Sequence, residues 1–507
     1  MIILGKKMPM LYSALLLTAV NLLMRLVGTA FGVYLSGRIG AEGIGLLQLV
    51  MSVSGLATIA GMAGIRTATM YLTANQIGKH GTSGLKWVLS ACISYSLICS
   101  SIVSIALYFL APNIATQWIG HPETVNAIRT ISLFLPVICL TGVMTGYFIG
   151  AKRIGILTAV ELCEQLICIS LTLLFLMFAG SDPGKCCQSV AFGSGFASCL
   201  ALLSLTILRL AEKQLASPKF KIGKELRQTA LPLALADDLK AGISTTENMI
   251  VPKRLALFAG LASPLAAFGI ISGMVFPILM FPACILYGLS DLLIPELAHC
   301  HATGNKSRIE HLTAKSLKAA ALYGLTISGL VFLLAEPLCL QLYNNAEAGK
   351  QLSLYAILIP MLYCDAIVDA TTKGLGQQKI CVRYNIITSL LDVVFLYILL
   401  PKYGMAGYFV SFTITHLINF LLSLRRLTKI SRLSIPVYQA CLGIGAGIAA
   451  TWLCAFLQNT PAKVILFPVV LFSMLTLLNI VGFGDLLWLK GLLFPTKNIP
   501  LPKGKRM

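Results

Sequence analysis

Apolar stretches long enough to cross a lipid bilayer recur along nearly the whole chain. About fourteen can be distinguished, and 57% of the 507 residues are hydrophobic while only 11% are charged. A helix needs roughly 20 apolar residues to span a hydrocarbon core, and lipid offers no hydrogen-bond partner to an open backbone group. The pattern therefore predicts an all-α polytopic membrane protein with about 14 transmembrane helices, and it excludes a soluble globular domain.

The formal net charge of +20 has a topological explanation. If the N-terminus is inside, 28 of the 39 Lys and Arg residues lie in or beside the inside segments, and eight lie in the outside loops. Cytoplasmic loops of membrane proteins carry this kind of excess. We therefore predict that both termini are cytoplasmic, that the protein is a multi-pass protein of the cell (cytoplasmic) membrane, and that its charge requires no nucleic-acid partner.

The longest basic connection, residues 209–227, separates two sets of six predicted helices. The predicted organisation is an N-terminal six-helix half over 1–228, a C-terminal six-helix half over 229–434, two additional transmembrane helices within 435–484, and a basic cytoplasmic tail over 485–507. An internal repeat supports this division, because a displacement of 224 residues places Gly45 on Gly269 and Gly64 on Gly288. Six spans per half give both halves the same orientation, so the repeat is parallel.

Helix-breaking residues occur in the second predicted span and in its counterpart, the eighth. The second span contains Gly55 and Gly64, and the eighth contains Pro277, Pro282 and Pro295. A proline inside a helix removes a backbone hydrogen bond and bends the helix, and broken helices often line transport sites. These residues are candidate gating positions. Ordinary packing of helices through small residues is the alternative interpretation.

Two arginines lie inside predicted spans, where a charge costs free energy and marks a functional position by default. Arg25 lies about mid-depth in the first span, with Asn21 one turn earlier, and Arg66 lies near the cytoplasmic end of the second. A guanidinium suits a phosphate or diphosphate group. Arg25, Asn21 and Arg66 are therefore candidate substrate-binding residues. A structural ion pair of Arg25 with a carboxylate on a neighbouring helix is the alternative, and Arg66 can also extend to the membrane surface.

Carboxylates also occur inside the predicted spans. Asp365 and Asp369 are four residues apart and share one helical face, which Lys373 extends by a turn. They are candidate sites for a coupling proton or sodium ion, although Asp369 and Lys373 could equally form a simple ion pair. Glu247, beside Asn248, is a further candidate for substrate or ion binding. The remaining intramembrane carboxylates are Glu161, Glu164, Asp237, Asp238, Asp291 and Asp392.

Several function classes find no support in the sequence. Nearly all of the 15 cysteines lie in apolar spans without zinc-ligand spacing, and His299, His301 and His311 are more typical of a solvated loop than of a metal site. No P-loop is present, and the outer loops offer no acid/base pair. We therefore predict no catalytic residue, no metal, no cofactor and no enzymatic activity.

Several short motifs resemble those of one transporter family. The run Gly273-Met-Val-Phe-Pro-Ile-Leu-Met-Phe-Pro282 with Leu293-Ile-Pro-Glu-Leu-Ala298 is similar to the eighth-helix signature of the polysaccharide transporters that include stage V sporulation protein B. Ile250-Val-Pro-Lys-Arg-Leu255 resembles the end of their seventh helix, and Arg25-Leu-Val-Gly28 resembles part of their first-helix region. Those transporters form a branch of the multidrug/oligosaccharidyl-lipid/polysaccharide (MOP) flippase superfamily. Relatives often have proline where this chain has Arg66, which weakens any inference about substrate at that position.

This resemblance implies a flippase that moves an undecaprenyl-diphosphate-linked sugar, a peptidoglycan or polysaccharide precursor, across the cytoplasmic membrane by alternating access. It implies a role in spore cortex or cell-wall synthesis, and Arg25 best matches the arginines that contact the diphosphate in related flippases. The expected partners are the lipid-linked substrate, membrane lipids, a coupling proton or sodium ion, and cell-wall synthesis proteins.

Three other interpretations remain open from the sequence. The first is a multidrug or cation antiporter of the same superfamily, for which a cavity dominated by carboxylates is expected. The second is a membrane polysaccharide polymerase or glycosyltransferase, which the short outer loops disfavour. The third is a membrane scaffold that transports nothing.

Overall fold

The computed structural model describes residues 10–80, 84–180, 182–211, 223–431, 433 and 436–482, and the regular elements in these ranges are all helices. The α-helices are α1 (Met10–Met62), α2 (Ile65–His80), α3 (Leu85–Asn113), α4 (Val125–Gly150), α5 (Ile154–Ala179), α6 (Pro183–Leu210), α7 (Gly223–Leu255), α8 (Pro264–Gly269), α9 (Phe276–Met280), α10 (Cys284–Ala302), α11 (Lys306–Tyr343), α12 (Ala346–Ala356), α13 (Ile359–Gly374), α14 (Gln378–Ser431), α15 (Val437–Ala455) and α16 (Thr460–Leu477). Two π-helical turns, Ile114–Ile119 and Ile270–Val275, and a 3₁₀ turn at Pro122–Thr124 complete them. The predicted basic tail, 485–507, lies outside the described residues.

The prediction of an all-α polytopic membrane protein is confirmed. Within the described ranges, nine helices are long and apolar enough to cross a membrane, or up to eleven if each of two bent pairs is one span. Helices α1 and α14 have 53 and 54 residues, and each contains a glycine with non-helical backbone angles, Gly40 and Gly404. Each of these helices therefore comprises two segments that meet at a sharp turn. The count of fourteen spans and the cytoplasmic position of the termini remain predictions.

The chain separates into two compact units. The first comprises Met1–Leu292, Cys339–Gln351 and Lys379–Asn419, and the second comprises Leu293–Leu338, Leu352–Gln378 and Phe420–Met507. A core in the first unit joins α1 to α4, α7 and α8 through residues such as Leu49, Leu135 and Phe268. In the second unit, Phe467 and Leu471 of α16 are fully buried in a core that includes residues of α11 and α15. The six-helix halves remain a separate prediction, which rests on the sequence repeat.

Gly45 of α1 and Gly269 of α8 lie at a crossing of two helices in the first unit. A Cβ atom on Gly45 would overlap the carbonyl oxygen of Leu265, and a Cβ atom on Gly269 would overlap the carbonyl oxygen of Ala41. Residues 41 and 45 become 265 and 269 under the displacement of 224 residues that defines the sequence repeat. The crossing is therefore reciprocal: each glycine meets the carbonyl group one turn before the other glycine.

The predicted break in the second span is located at Gly64. Ala63 and Gly64 both have positive φ angles, 43° and 71°, and they separate α1 from α2. A left-handed conformation is readily adopted by glycine and is uncommon for alanine. The carbonyl oxygen of Ala63 accepts a hydrogen bond of 3.4 Å from the Tyr95 hydroxyl. Gly55, by contrast, lies within regular helix in α1.

The eighth predicted span is bent at Pro282. The segment Pro264–Met280 and helix α10 meet at 60°, and Pro282 lies in the short break between them. Pro277 occupies the first turn of α9, directly after the π-helical turn, and Pro295 lies inside α10. The bend is thus located at one of the three predicted prolines.

Candidate functional site

The backbone of the α1 turn that contains Arg25 accepts two side-chain hydrogen bonds, one from α1 itself and one from α5. The Thr29 hydroxyl donates to the Arg25 carbonyl oxygen at 2.9 Å, and the Gln165 amide of α5 donates to the Met24 carbonyl oxygen at 2.6 Å. Gly28 permits this approach, because a Cβ atom there would lie only 3.3 Å from Gln165 Nε2. The backbone beneath Arg25 is therefore fixed by a neighbouring helix. Asn21 also lies on α1, but its side chain is outside the described part of the chain.

The Arg25 side chain is exposed, and its guanidinium carbon lies 5.5 Å from the centroid of the Tyr287 ring in α10. Among the described residues, no carboxylate lies within ion-pair distance of this guanidinium. An ion pair with a neighbouring helix was the structural alternative for Arg25, and the structure has an aromatic ring there instead. Within the part of the chain that the structure describes, the guanidinium therefore contacts a ring and is not paired with a carboxylate.

A cavity of about 490 Å³ lies beside the same part of α1, between α1, α5 and α6. Its polar wall includes Glu161, Glu164, Gln165 and Ser198, and Met24 and Gly28 of α1 contribute to its lining. Glu164 Oε1 accepts a hydrogen bond of 2.8 Å from the Ser198 hydroxyl. The cavity therefore has an acidic wall, and the exposed guanidinium of Arg25, which does not line the cavity, extends from the same helix turn.

Arg66 lies in the first turn of α2, immediately after the break at Ala63 and Gly64. Its side chain is exposed, and Glu161 of the acidic cavity is an electrostatic neighbour that it attracts. Arg66 is therefore partly compensated by a carboxylate, in contrast to Arg25. The two predicted substrate-binding arginines have different surroundings.

A second polar cluster surrounds Glu247 of α7. Its carboxylate is hydrogen-bonded to Ser389 and is close enough to Asp392 for the two charges to interact; both partners lie on α14. Asp392 Oδ1 accepts a hydrogen bond of 2.6 Å from the Ser411 hydroxyl, and Thr415 Oγ1 lies 3.1 Å from the same oxygen. The cluster thus joins two carboxylates and three hydroxyl groups from α7 and from both segments of α14.

Asp365 and Asp369, the predicted ion-coupling pair, lie on α13 in the second unit. Lys373 Nζ is 2.5 Å from Asp369 Oδ2, one helical turn along. The ion pair that the spacing allowed is therefore present. Asp365 lies a turn earlier, and its side chain is half-buried.

Two important neighbours were not assigned from the sequence. Asp392 was recognised only as one of several intramembrane carboxylates, and Tyr287 was not singled out at all. An aromatic residue in an apolar span is typical of packing or of a lipid-facing surface, so its type gives no signal. Asp392 is distinguished by its position opposite Ser411 across the turn at Gly404. This position can be recognised in the sequence only when the turn is already known.

Two family models match successive parts of the chain. The model described as "Polysaccharide biosynthesis protein" matches residues 10–235, and the MatE model matches residues 256–398. Stage V sporulation protein B of Bacillus subtilis (strain 168) is 22% identical over 480 residues, which cover 91% of each chain. Sporulation protein YkvU of the same organism is 21% identical over 376 residues, which cover 72% of this chain and 82% of its own.

Solved structures show the same fold. Lipid II flippase MurJ in an inward closed conformation matches with a TM-score of 0.69 and 15% identity, over 93% of this chain and 100% of its own. An inward-facing multidrug resistance MATE family transporter of the MOP superfamily matches with a TM-score of 0.66 and 15% identity, over 81% and 96%.

The apolar helices and the fold define a multi-pass protein of the cell membrane, and the solved structures that share its fold include a lipid II flippase and a multidrug transporter. The chain is a homologue of stage V sporulation protein B, which it resembles over 91% of its length, and its successive parts match the polysaccharide biosynthesis protein and MatE family models.

Proposed function

We propose that this protein flips an undecaprenyl-diphosphate-linked sugar, a peptidoglycan or polysaccharide precursor, across the cytoplasmic membrane by alternating access. The expected setting is spore cortex or cell-wall synthesis, with cell-wall synthesis proteins as partners. The polysaccharide biosynthesis match and the names of two relatives, a sporulation protein and a lipid II flippase, support this substrate class.

The observation that carries the proposal is the un-neutralised charge of Arg25. A diphosphate head group needs a cation with free N–H donors, and a guanidinium presents five of them in a planar fork. Arg25 is exposed, and in the described part of the chain its guanidinium contacts a ring rather than an acid. Arg66 and Asn21 are further candidates for the same head group.

Alternating access requires helices that can change their bend. The second and eighth predicted spans are each broken, at Ala63–Gly64 and at Pro282. Hinges of moving elements are a few residues that absorb large changes of backbone angle. Gly64 and Pro282 are therefore the proposed gating positions, and Gly55, Pro277 and Pro295 are secondary candidates.

A coupling ion is proposed to bind at the Glu247–Asp392 cluster. Two carboxylates in one membrane-embedded site repel each other unless a proton or another cation joins them. Asp369, in contrast, already has the ammonium group of Lys373 as its counter-ion. The cluster on α7 and α14 is thus a better candidate than the pair formed by Asp365 and Asp369.

The test is flipping of lipid-linked peptidoglycan precursor by purified protein in proteoliposomes. Arg25→Ala is expected to lower the rate roughly tenfold or more, because a hydrogen bond to a charged group is worth about 1.5–3 kcal/mol. Arg129→Ala is the matched control, since Arg129 also lies over a tyrosine ring, that of Tyr108, at 5.2 Å. A native protein that flips no precursor, while a known flippase does so in parallel, would contradict the proposal.

A second candidate function, export of an organic cation, is favoured by the acidic cavity. Glu161 and Glu164 line a space large enough for a small amphipathic cation. MATE transporters are among the structural neighbours. Uptake of a fluorescent cation into inverted vesicles tests this function directly, and Glu164→Gln should abolish the uptake if it occurs.

A further inference from the structure

We propose that Tyr287 is a positioning residue for Arg25, and that its ring holds the guanidinium in place while leaving the N–H donors available to an anionic head group. This role rests on the proposed flippase function, because it assumes that Arg25 binds a phosphate or diphosphate. The proposal gives a function to Tyr287, a residue of the eighth predicted span that neither a charge nor a sequence motif distinguishes.

The geometry joins two helices that are far apart in the sequence. Arg25 lies on α1 and Tyr287 on α10, both in the first compact unit. The guanidinium carbon is 5.5 Å from the ring centroid, within the range of about 6 Å for a cation–π contact. The Tyr287 side chain is 37% exposed, so the ring lies at the edge of the packed core rather than within it.

An aromatic ring positions an arginine differently from a carboxylate. A carboxylate neutralises the guanidinium and accepts hydrogen bonds from its N–H groups, which then have to be released before a phosphate can bind. A ring attracts the cation through its π-electron face, and its face takes up none of the in-plane donors. Tyr287 can therefore restrict the Arg25 side chain without competing with the substrate, which reduces the entropy lost when a diphosphate binds.

Tyr287 also connects Arg25 to the bend in the eighth span. It lies in the first turn of α10, and its amide donates a hydrogen bond of 3.0 Å to the carbonyl oxygen of Ala283, a residue of the break itself. A change in the 60° bend would move the ring relative to α1. The position of the anion-binding group therefore depends on the shape of a helix from the other half of the sequence repeat.

The transport test compares two substitutions at position 287 in native and Arg25→Gln backgrounds. Tyr287→Leu is expected to raise KM for lipid-linked precursor roughly two- to five-fold with little change in kcat, which corresponds to about 0.5–1 kcal/mol for an exposed cation–π contact. Tyr287→Phe keeps the ring and should restore the native KM. In the Arg25→Gln background, Tyr287→Leu should have no further effect, because a residue that acts through Arg25 loses its role when Arg25 is absent.

The matched control is Tyr108→Leu. Tyr108 has the same 37% exposed fraction and lies 5.2 Å from the Arg129 guanidinium carbon, but that pair has no part in the proposed site. Its KM should remain at the native value. An equal rise in KM for Tyr287→Leu in both Arg25 backgrounds, or the same rise for Tyr108→Leu, would overturn the positioning role.

A spectroscopic readout separates this inference from the proposed function. With ¹⁵N-labelled arginine, the Nε–H signal of Arg25, identified by its loss in Arg25→Gln, should shift in Tyr287→Leu and remain in place in Tyr287→Phe. Added inorganic pyrophosphate should move the same signal, at higher concentration in the leucine variant. A signal that is unchanged in Tyr287→Leu overturns the role of Tyr287 even if precursor is flipped. A signal that responds as expected, in a protein that flips nothing, supports Tyr287 and overturns the substrate proposal alone.

Discussion

Ser411 and Asp392 form a hydrogen bond of 2.6 Å between the two segments of α14, one on each side of the turn at Gly404. The bond orients the Asp392 carboxylate in the same cluster as Glu247 of α7. Asp392 contacts Ser411 in the other segment of α14 and interacts with Glu247 of α7, so a change in its charge would alter interactions in all three segments. This arrangement makes the cluster suitable for coupling ion binding to movement.

Substitution of Asp392 by asparagine is the direct test of coupling. Asp392→Asn should remove most of the acceleration of precursor flipping by an imposed proton or sodium gradient, a coupling typically worth about 1–3 kcal/mol, while flipping without a gradient continues. Rates are measured in proteoliposomes with and without each gradient. Asp369→Asn is the comparison, since it removes a carboxylate that is paired with Lys373. If only Asp369→Asn abolishes the gradient effect, the coupling site is the α13 pair instead.

Alanine at either glycine of the α1–α8 crossing should destabilise the protein. Gly45→Ala and Gly269→Ala each place a methyl group where a carbonyl oxygen of the other helix lies, and overpacking of this kind costs about 1–3 kcal/mol. Thermal unfolding in detergent measures the effect as a lower melting temperature. Gly37→Ala is the control, because the space around that position is open and alanine favours a helix. Equal melting temperatures for Gly45→Ala and Gly37→Ala would show that the helices do not cross this closely.

Neutralising the acidic cavity separates the two candidate functions. If the protein is a precursor flippase, Glu164→Gln should change the flipping rate by less than about threefold, because the substituted amide can still bond to Ser198 and the proposed anion contact is Arg25. Flipping assays and uptake of a fluorescent cation are carried out on the same preparation. Loss of cation uptake in a variant that also retains its melting temperature would favour the antiporter.

The predicted orientation can be tested with a membrane-impermeant thiol reagent on intact cells. Lys185 is exposed on an outside segment and Lys306 on an inside segment of the predicted topology, and both side chains are accessible in the structure. Lys185→Cys should react in intact cells, and Lys306→Cys only after the membrane is made permeable. Labelling of the native protein measures the background reaction of its own 15 cysteines, which is subtracted. Labelling of Lys306→Cys but not Lys185→Cys in intact cells would show that the orientation is the reverse of the predicted one.

The sequence predicted the parts of the molecule that depend on local pattern. Apolar length predicts the helices, and the spacing of Asp369 and Lys373 allows the ion pair that the structure contains, since residues four apart share a helical face. Gly64 and Pro282 were predicted as breaks because their backbone preferences are local. Gly55 has the same preference but lies in regular helix, since a glycine permits a break without requiring one.

The remaining features depend on which helix faces meet. Glu247 could be recognised as a charge in an apolar run, but its neighbour Asp392 is 145 residues away and reaches it only through the fold of α14. Arg25 could pair with an acid or with a ring, and a single sequence contains no information on which helix packs beside it. For the same reason the sequence could not show that an acidic cavity adjoins the turn of α1 from which the exposed guanidinium extends.

The reciprocal crossing of Gly45 and Gly269 has an evolutionary consequence. Gly45 meets Leu265, and the equivalent residue Gly269 meets Ala41, the equivalent of Leu265. In a two-fold dimer interface the same pair of positions likewise meets twice, once in each direction. A single ancestral six-helix unit could form the same contact with a second copy of itself. Duplication of the gene and fusion of the two copies would then preserve this helix crossing without requiring a new interface. The two halves could afterwards diverge in sequence everywhere except at the glycines of the crossing.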